Sequence, residues 1–328
     1  MKVLVFGSIS GPAADKLASA AVFTQHDRDM PLPEPDIERL VSDVDAVLSE
    51  PLDGITAGIM DRCPRLRMIS NRAVGFDNVD IEEASRRGIL VCNTPGVLDA
   101  ATADLAFALL LAASRRVCEG DRYVRQGRWT GFKSDLMLGP DIFGKTMGII
   151  GMGRIGRAFA ARAVAFGMKI IYASASDRRE KENSQDFGAR RVSLEELLVE
   201  SDFISVHCPL NDSTRHLIKK RELELMKPGA VLVNTARGAV IDQDALVEHL
   251  EAGRIFAAGL DVFEDEPNVP ERLKTLDNVV LTPHIGSACV DTRARMTSLA
   301  VDAIVDAFAG RPPAHMVNPS AWEKFNGK

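Results

Sequence analysis

Three stretches of the chain carry side chains suited to an anionic carbonyl compound. AVLVNTARG delivers Arg237, AAGLDVFEDEP delivers the acids Glu264, Asp265 and Glu266, and VVLTPHIGS delivers His284. A guanidinium is a planar fork of donors that matches a carboxylate. An imidazole carries protons near neutral pH, and an acid beside it fixes the ring and favours its charged form. Such groups could clamp the carboxylate of a 2-keto acid and protonate its carbonyl oxygen, provided a hydride donor lies alongside. Each also has a bland role. Arg237 could pair with Asp242, the EDEP run could be a solvated turn, and His284 could be an ordinary loop histidine. Their shared placement after short apolar runs favours the chemical role, because open α/β sheets bind ligands beyond the carboxyl ends of their strands.

A hydride donor has its own signature upstream. The apolar run MGII leads into Gly151-Met152-Gly153-Arg154-Ile155-Gly156, and then into a stretch with Ile155, Phe159, Ala163 and Phe166 at helical spacing. Glycines in this pattern also occur in plain turns. Between a strand and a helix, however, Gly151 permits a tight turn, Gly153 lets a pyrophosphate approach the backbone, and Gly156 lets the helix press on the strand. The helix start offers N–H groups and a positive dipole end to the anion, and Arg154 can add a charge.

The following strand, within KIIYASASDRRE, ends on Ser174. An NAD-selecting chain places an acid there, roughly twenty residues on, to accept from the ribose 2′-hydroxyl. A serine does not repel a 2′-phosphate, and Ser176, Arg178 and Arg179 stand close enough in sequence to bind one. NADP(H) is the favoured cofactor and NAD(H) a possible one. Asp177 argues the other way, since it could turn back to the ribose, and the two arginines could simply open a solvated helix.

These groups require parallel strands to hold them. Apolar runs at residues 2–6, 46–48, 67–70 and 89–92, then at 147–150, 169–172, 203–206, 230–233, 256–258 and 279–281, alternate with helix-length segments. That is the pattern of strands buried on both faces and joined by right-handed crossovers. The fold class is α/β, with two doubly wound parallel-sheet domains. At 328 residues two domains are expected. The apolar helical stretch 99–116 marks the join, packing between domains or against another subunit, and a second amphipathic stretch spans about 291–308.

The formal net charge of −6, with Lys and Arg scattered along the chain, speaks against a nucleic-acid or anionic-membrane partner. The N-terminal apolar run stops at Gly7, too short for a signal-peptide core. Five cysteines without a C-x-x-C pair fit reduced thiols in a cytoplasmic protein and give no thiolate metal site; no metal is expected.

GMGRIG, NTARGAVID, GLDVFEDEP and LTPHIGSA, with NTPGVLDAATADLAFALLL and ISNRAVGFDNVD upstream, resemble the D-isomer-specific 2-hydroxyacid dehydrogenases. The likeness covers nearly the whole chain and is nearest to the glyoxylate/hydroxypyruvate reductases. It implies a Rossmann-type dinucleotide domain at 98–285 and a flavodoxin-like substrate domain at 1–97 and 286–328. It implies Arg237 as the substrate clamp, His284 as the acid/base and Glu266, the residue before proline, as its partner. Backbone N–H groups at Val74 and Gly75 would hold the substrate carboxylate. Thr102, Arg154, Ile155, Pro209, Thr214, Ala236, Asp261 and Gly286 fall at dinucleotide contacts, and the helix at 99–116 would serve a homodimer. The implied activity is reduction of a small 2-keto acid to the D-2-hydroxy acid by NAD(P)H.

Two departures stand out. Ala175 replaces an arginine that the reductases often carry after the serine, which shifts phosphate recognition to Ser176 or Arg178. Glu50, in LSEPL, stands where relatives place an apolar side chain. Facing the pocket it would accept hydrogen bonds from substrate hydroxyls; the alternative turns it to solvent. Two rivals share the fold. Phosphite dehydrogenases carry a lysine where this chain has Val74, and a dinucleotide-sensing corepressor would bind without turnover.

Overall fold

Val3, Leu4, Val5 and Phe6 are all buried in the first strand, β1 (Lys2–Phe6), as expected of a strand covered on both faces. The computed structural model describes residues 1–27, 30–176 and 178–327. The chain forms two units, Met1–Leu98 with Cys289–Lys328, and Asp99–Ala288. In the first, β1 is joined by β2 (Val22–His26), β3 (Ala46–Ser49), β4 (Met68–Asn71) and β5 (Leu90–Cys92) in a parallel sheet ordered β2-β1-β3-β4-β5. This is the flavodoxin-like doubly wound order, whose ligand edge lies at the carboxyl ends beside the β1/β3 reversal. The helix Val290–Phe308 covers one face, packing Ala300, Val301 and Ile304 against Val3, Val5 and Leu48. Ser70 ties it down by donating to the Ala300 carbonyl at 2.8 Å.

The second unit holds β6 (Thr146–Ile150), β7 (Lys169–Ala173), β8 (Arg190–Arg191), β9 (Phe203–Val206), β10 (Val231–Asn234), β11 (Ala257–Leu260) and β12 (Val279–Leu281). They form one parallel sheet ordered β12-β11-β10-β9-β6-β7-β8. Read from β6 outward, this is the dinucleotide-binding order with one added strand, and its reversal lies between β6 and β9. The helix Asp99–Ser114 lies in this unit's own core. Ala103, Ala106, Phe107, Leu109, Leu110 and Ala113 cluster with Met147, Ile149 and Phe159. Gly259 makes the approach possible, since a Cβ there would meet the Leu109 Cβ at 2.9 Å. No helix among the described residues is long and apolar enough to cross a membrane.

The structure departs from the sequence expectations at the margins. Leu98 groups with the first unit and residues 286–288 with the second. Gly286 is held there by its N–H, which donates to Asp261 Oδ2 at 2.8 Å. The strands Val22–His26 and Arg190–Arg191 lie at sheet edges, half exposed, and so lack the apolar run that marks a buried strand. The apolar stretch 99–116 ends earlier as a helix, because Arg116 takes a left-handed conformation.

Candidate active site

The glycine turn between β6 and the helix Arg154–Ala165 can be tested position by position for its fit to a dinucleotide. Gly151 has φ +95°, and a Cβ there would lie 2.6 Å from the Cys208 nitrogen. Only glycine tolerates both constraints. A Cβ on Gly156 would meet the Gly151 carbonyl oxygen at 2.2 Å, so its absence lets the helix start press on the turn. Gly153 caps the helix without a side chain and has open space where its Cβ would stand. A pyrophosphate can therefore reach the backbone N–H groups and the positive end of the helix. Arg154 stands at this mouth, with Nε 3.5 Å from Asp99 Oδ2. Burial holds the Asp99 carboxyl above its ordinary value, opposed by the Arg154 charge. The residues present fit the group.

At the end of β7, Ser174 is half-buried, and its carbonyl accepts from Arg191 Nη2 at 3.1 Å. Ser176 and Arg178 are exposed, the Arg178 backbone N–H donating to Ser176 Oγ at 3.3 Å. Asp177, the residue that could return to the ribose, lies outside the described residues. After β9, Thr214 closes its loop by donating to the Pro209 carbonyl at 2.7 Å and accepting from Asn211 N–H at 2.9 Å. His207, at the same strand end, packs its ring at a tilt against Phe159 and shares a 2.9 Å hydrogen bond through Nε2 with Ser205. Its Nδ1 is buried with no partner among the described residues, and burial pushes the imidazole down to about 3.

The groups with chemical potential follow β10, β11 and β12. The turn after β10 is shaped by Asn234, whose Oδ1 accepts from Ala236 N–H at 3.0 Å and whose Nδ2 donates to the Arg237 carbonyl at 2.9 Å. Arg237 is half-buried and donates to the Ala236 carbonyl at 2.8 Å. Asp242 instead caps the helix Gln243–Glu251, accepting from Ala245 N–H at 3.0 Å. After β11, Glu266 accepts from Phe263 N–H at 3.0 Å through Oε1 and meets His284 Nδ1 at 2.6 Å through Oε2. Glu266 is almost wholly buried and His284 less so. With Nδ1 engaged, His284 Nε2 has no hydrogen bond among the described residues. His284 holds φ +52°, a strained conformation for a non-glycine residue, fixed by its N–H bonds to Asp261 and Thr282 carbonyls at 2.9 and 3.1 Å. Glu264 points elsewhere, to His216 Nε2 at 2.5 Å. Of the acids that the sequence left open, Glu266 is therefore the one that meets the histidine.

Asp261 gathers the rest of this edge. Its carboxylate accepts from Thr282 Oγ1, Ile285 N–H and Gly286 N–H at 2.7, 2.8 and 2.8 Å. Burial raises its pKa against the pull of those donors. A Cβ on Gly286 would meet Asp261 Oδ2 at 3.2 Å and the Thr102 methyl at 3.4 Å, so Thr102, Asp261 and Gly286 are brought together. Ile155 is half-buried in the first turn of its helix.

In the first unit, the loop after β4 presents Val74 and Gly75. Their carbonyls are anchored by Asn93 Nδ2 and Asn71 Nδ2, each at 2.8 Å. No described residue accepts from the N–H of either, and both residues are half-buried. Glu50, after β3, turns neither into open solvent nor into an unoccupied acceptor position. It forms an ion pair with Arg72, which is buried and also donates to Thr297 Oγ1 at 3.1 Å.

A family model described as D-isomer specific 2-hydroxyacid dehydrogenase, NAD binding domain, matches residues 107–286. A curated glyoxylate reductase from Thermococcus litoralis is 50% identical over 282 residues, 85% of this chain and 85% of its own. The chain belongs to the D-isomer specific 2-hydroxyacid dehydrogenases. Its fold agrees with theirs throughout. A protein from Thermus thermophilus matches at a TM-score of 0.89 with 44% identity, over 97% of this chain and 100% of that one. The NADPH-dependent glyoxylate/hydroxypyruvate reductase of Sinorhizobium meliloti, crystallised with NADP and malonate, matches at 0.83 with 35% identity, over 98% and 97%. As a member of this family the chain takes a nicotinamide dinucleotide.

Three residues of this dehydrogenase escaped the sequence reading. Arg72 and Arg191 act across strands, and no local spacing connects them to Glu50 or Ser174. Gly238 looked like the ordinary end of NTARG. A Cβ there would lie 1.9 Å from the Phe263 carbonyl carbon, so this glycine seats the Arg237 turn against the loop that carries Glu266.

Proposed function

We propose that the chain reduces a small 2-keto acid, such as glyoxylate, hydroxypyruvate or a sugar-derived 2-keto acid, to the D-2-hydroxy acid, with NADP(H) preferred over NAD(H). The observation that carries the reading is the Glu266–His284 hydrogen bond, with His284 Nε2 unbonded among the described residues and at the same sheet edge as Arg237 and the glycine turn. When bound, the dinucleotide supplies the hydride. Arg237 clamps the substrate carboxylate; within the first unit, Val74 and Gly75 keep N–H groups with no acceptor among the described residues, as carboxylate donors would. Glu266 keeps the proton on Nδ1 of His284 and stabilises the ring when it is charged, so that Nε2 gives its proton to the carbonyl oxygen. In the reverse direction Nε2 takes that proton back from the hydroxyl.

The first-turn N–H groups of the helix Arg154–Ala165, with Arg154, receive the pyrophosphate. Ile155, Thr102, Pro209, Thr214, Ala236, Asp261 and Gly286 are proposed to line the rest of the dinucleotide site. Ser174, Ser176 and Arg178 are proposed to face the adenosine ribose. The reading extends to a homodimer in the cytoplasm. Trp129, Phe132, Leu138 and Phe143 are each more than half exposed, apolar side chains that a second copy would cover.

NADPH absorbance in the presence of glyoxylate, hydroxypyruvate and longer 2-keto acids tests the proposal. Turnover with the D-product supports it. Tight NADPH binding without turnover on any 2-keto acid would favour a dinucleotide sensor, and oxidation of phosphite would favour the rival enzyme.

A further inference from the structure

Arg191 reaches the end of β7 from the neighbouring strand. It is in register with Tyr172 on β7, and its Nη2 donates to the Ser174 carbonyl at 3.1 Å. Ser174 occupies the place where an NAD-selecting chain keeps an acid. Here a cation is fastened instead. The side chain is about one-third exposed, at 31%. It has more donors than its single backbone bond uses. Its acidic neighbour among the described residues, Glu180, is half exposed and lies 3.4 Å from Nη1, at the outer edge of a hydrogen bond.

We infer that Arg191 receives the 2′-phosphate of NADPH and sets the cofactor preference of this chain. The inference rests on the NADP(H) reading above. Arg191 is already pinned to the backbone, so little side-chain freedom is lost when a phosphate arrives. Arg178 and Arg179 are poorer candidates for the main contact. Both are exposed, and the nearest carboxylate partner of Arg179 stands 4.0 Å away on Glu182. Ordering such side chains on binding costs about 0.5–1.5 kcal/mol each. Ser174 and Ser176 add hydroxyl donors, and the charge that Ala175 does not offer comes from the next strand. An acid at position 174 itself would oppose the phosphate, which would have to be desolvated beside it, whereas the half-exposed Glu180 can turn to solvent.

The test compares kcat/KM for NADPH and NADH in the wild type and in Arg191→Gln, Arg191→Lys and Arg190→Gln. Arg190 is the adjacent control, committed to Glu196 and Glu200 at 2.5 Å each. Calorimetry with 2′,5′-ADP and 5′-AMP reads the phosphate contact without turnover, and a thermal melt reports folding. A charge-assisted hydrogen bond lost to a phosphate lowers the NADPH:NADH ratio about tenfold to a hundredfold in Arg191→Gln. The affinity for 2′,5′-ADP falls by the same factor, with partial recovery in Arg191→Lys and no change in Arg190→Gln.

If Arg191→Gln does not fold, Arg191→Lys carries the test, because it keeps the charge and loses the fork; a wild-type ratio in it overturns the inference. A wild type that prefers NADPH, with Arg191→Gln keeping that preference or Arg190→Gln losing it equally, overturns the role of Arg191 and leaves the NADP(H) reading standing. A wild type that does not distinguish 2′,5′-ADP from 5′-AMP overturns both.

Discussion

Gly238 offers a sharp test of how the site is held together, because it lies between two of its working parts. Replacing it with alanine adds one carbon whose nearest neighbours would be the Phe263 carbonyl carbon at 1.9 Å, its oxygen at 2.1 Å and the Glu264 nitrogen at 2.4 Å. Ordinary contact begins at 3.4 Å, so about 1.5 Å must be found by moving backbone. One segment carries Arg237. The other carries Phe263, whose N–H positions Glu266 at 3.0 Å. Gly238 is outside the left-handed region, so alanine meets contact and not backbone strain. Overpacking of this kind costs about 1–3 kcal/mol of stability, or a few degrees in Tm. The chemical cost is larger, since misplacement by about 1 Å can lower the rate on the order of 100-fold. We expect Gly238→Ala to fold and bind NADPH while kcat for hydroxypyruvate drops about 100-fold. Steady-state absorbance, cofactor fluorescence and a thermal melt together read this out. A folded variant with kcat within roughly threefold of wild type would refute the seating role.

Other substitutions probe single links. Arg237→Lys keeps the charge and loses the fork, so KM for the keto acid should rise by about tenfold or more, while the Kd for NADPH stays put. Glu266→Gln can still accept from Phe263 N–H but no longer balances a charged His284; kcat should fall about 100-fold or more, and an unchanged kcat would dismiss the pairing. Gly156→Ala would force the helix start off the turn, given the 2.2 Å approach to the Gly151 carbonyl, and should weaken NADPH binding more than it lowers Tm. His207 gives a pH prediction. Its folded pKa is pushed down to about 3 from 6.5, so in that window the unfolded chain binds the extra proton and stability falls as pH drops. The slope from this group is at most about 1.4 kcal/mol per pH unit. Denaturant unfolding of His207→Gln should show a shallower loss between neutral and acidic pH than wild type, and parallel curves would contradict the burial argument.

The sequence was legible wherever burial imposes a continuous apolar run. The strands at Lys2–Phe6, Phe203–Val206 and Val231–Asn234 are covered on both faces, so period and composition both mark them. The placement of Arg237, Glu266 and His284 was legible for the same reason, since each follows such a run, and the structure brings Glu266 to His284. Edge strands were not, because Arg190–Arg191 and much of Val22–His26 face solvent and have no need of apolar residues. Contacts across strands were also out of reach. Nothing in the spacing of Arg191 shows that it ends at the Ser174 carbonyl, or that Arg72 takes up Glu50. The helix Asp99–Ser114 was recognised as apolar, but composition could not say which neighbour covers it; the second unit's sheet and the helix Arg154–Ala165 do.

The central claim is that His284, oriented by Glu266, moves the proton while hydride is transferred. Single-turnover oxidation of bound NADPH by saturating hydroxypyruvate in His284→Asn tests it most directly. The account predicts unchanged NADPH affinity and a transfer rate lower by about 100-fold to 10,000-fold. Transfer at the wild-type rate would contradict it.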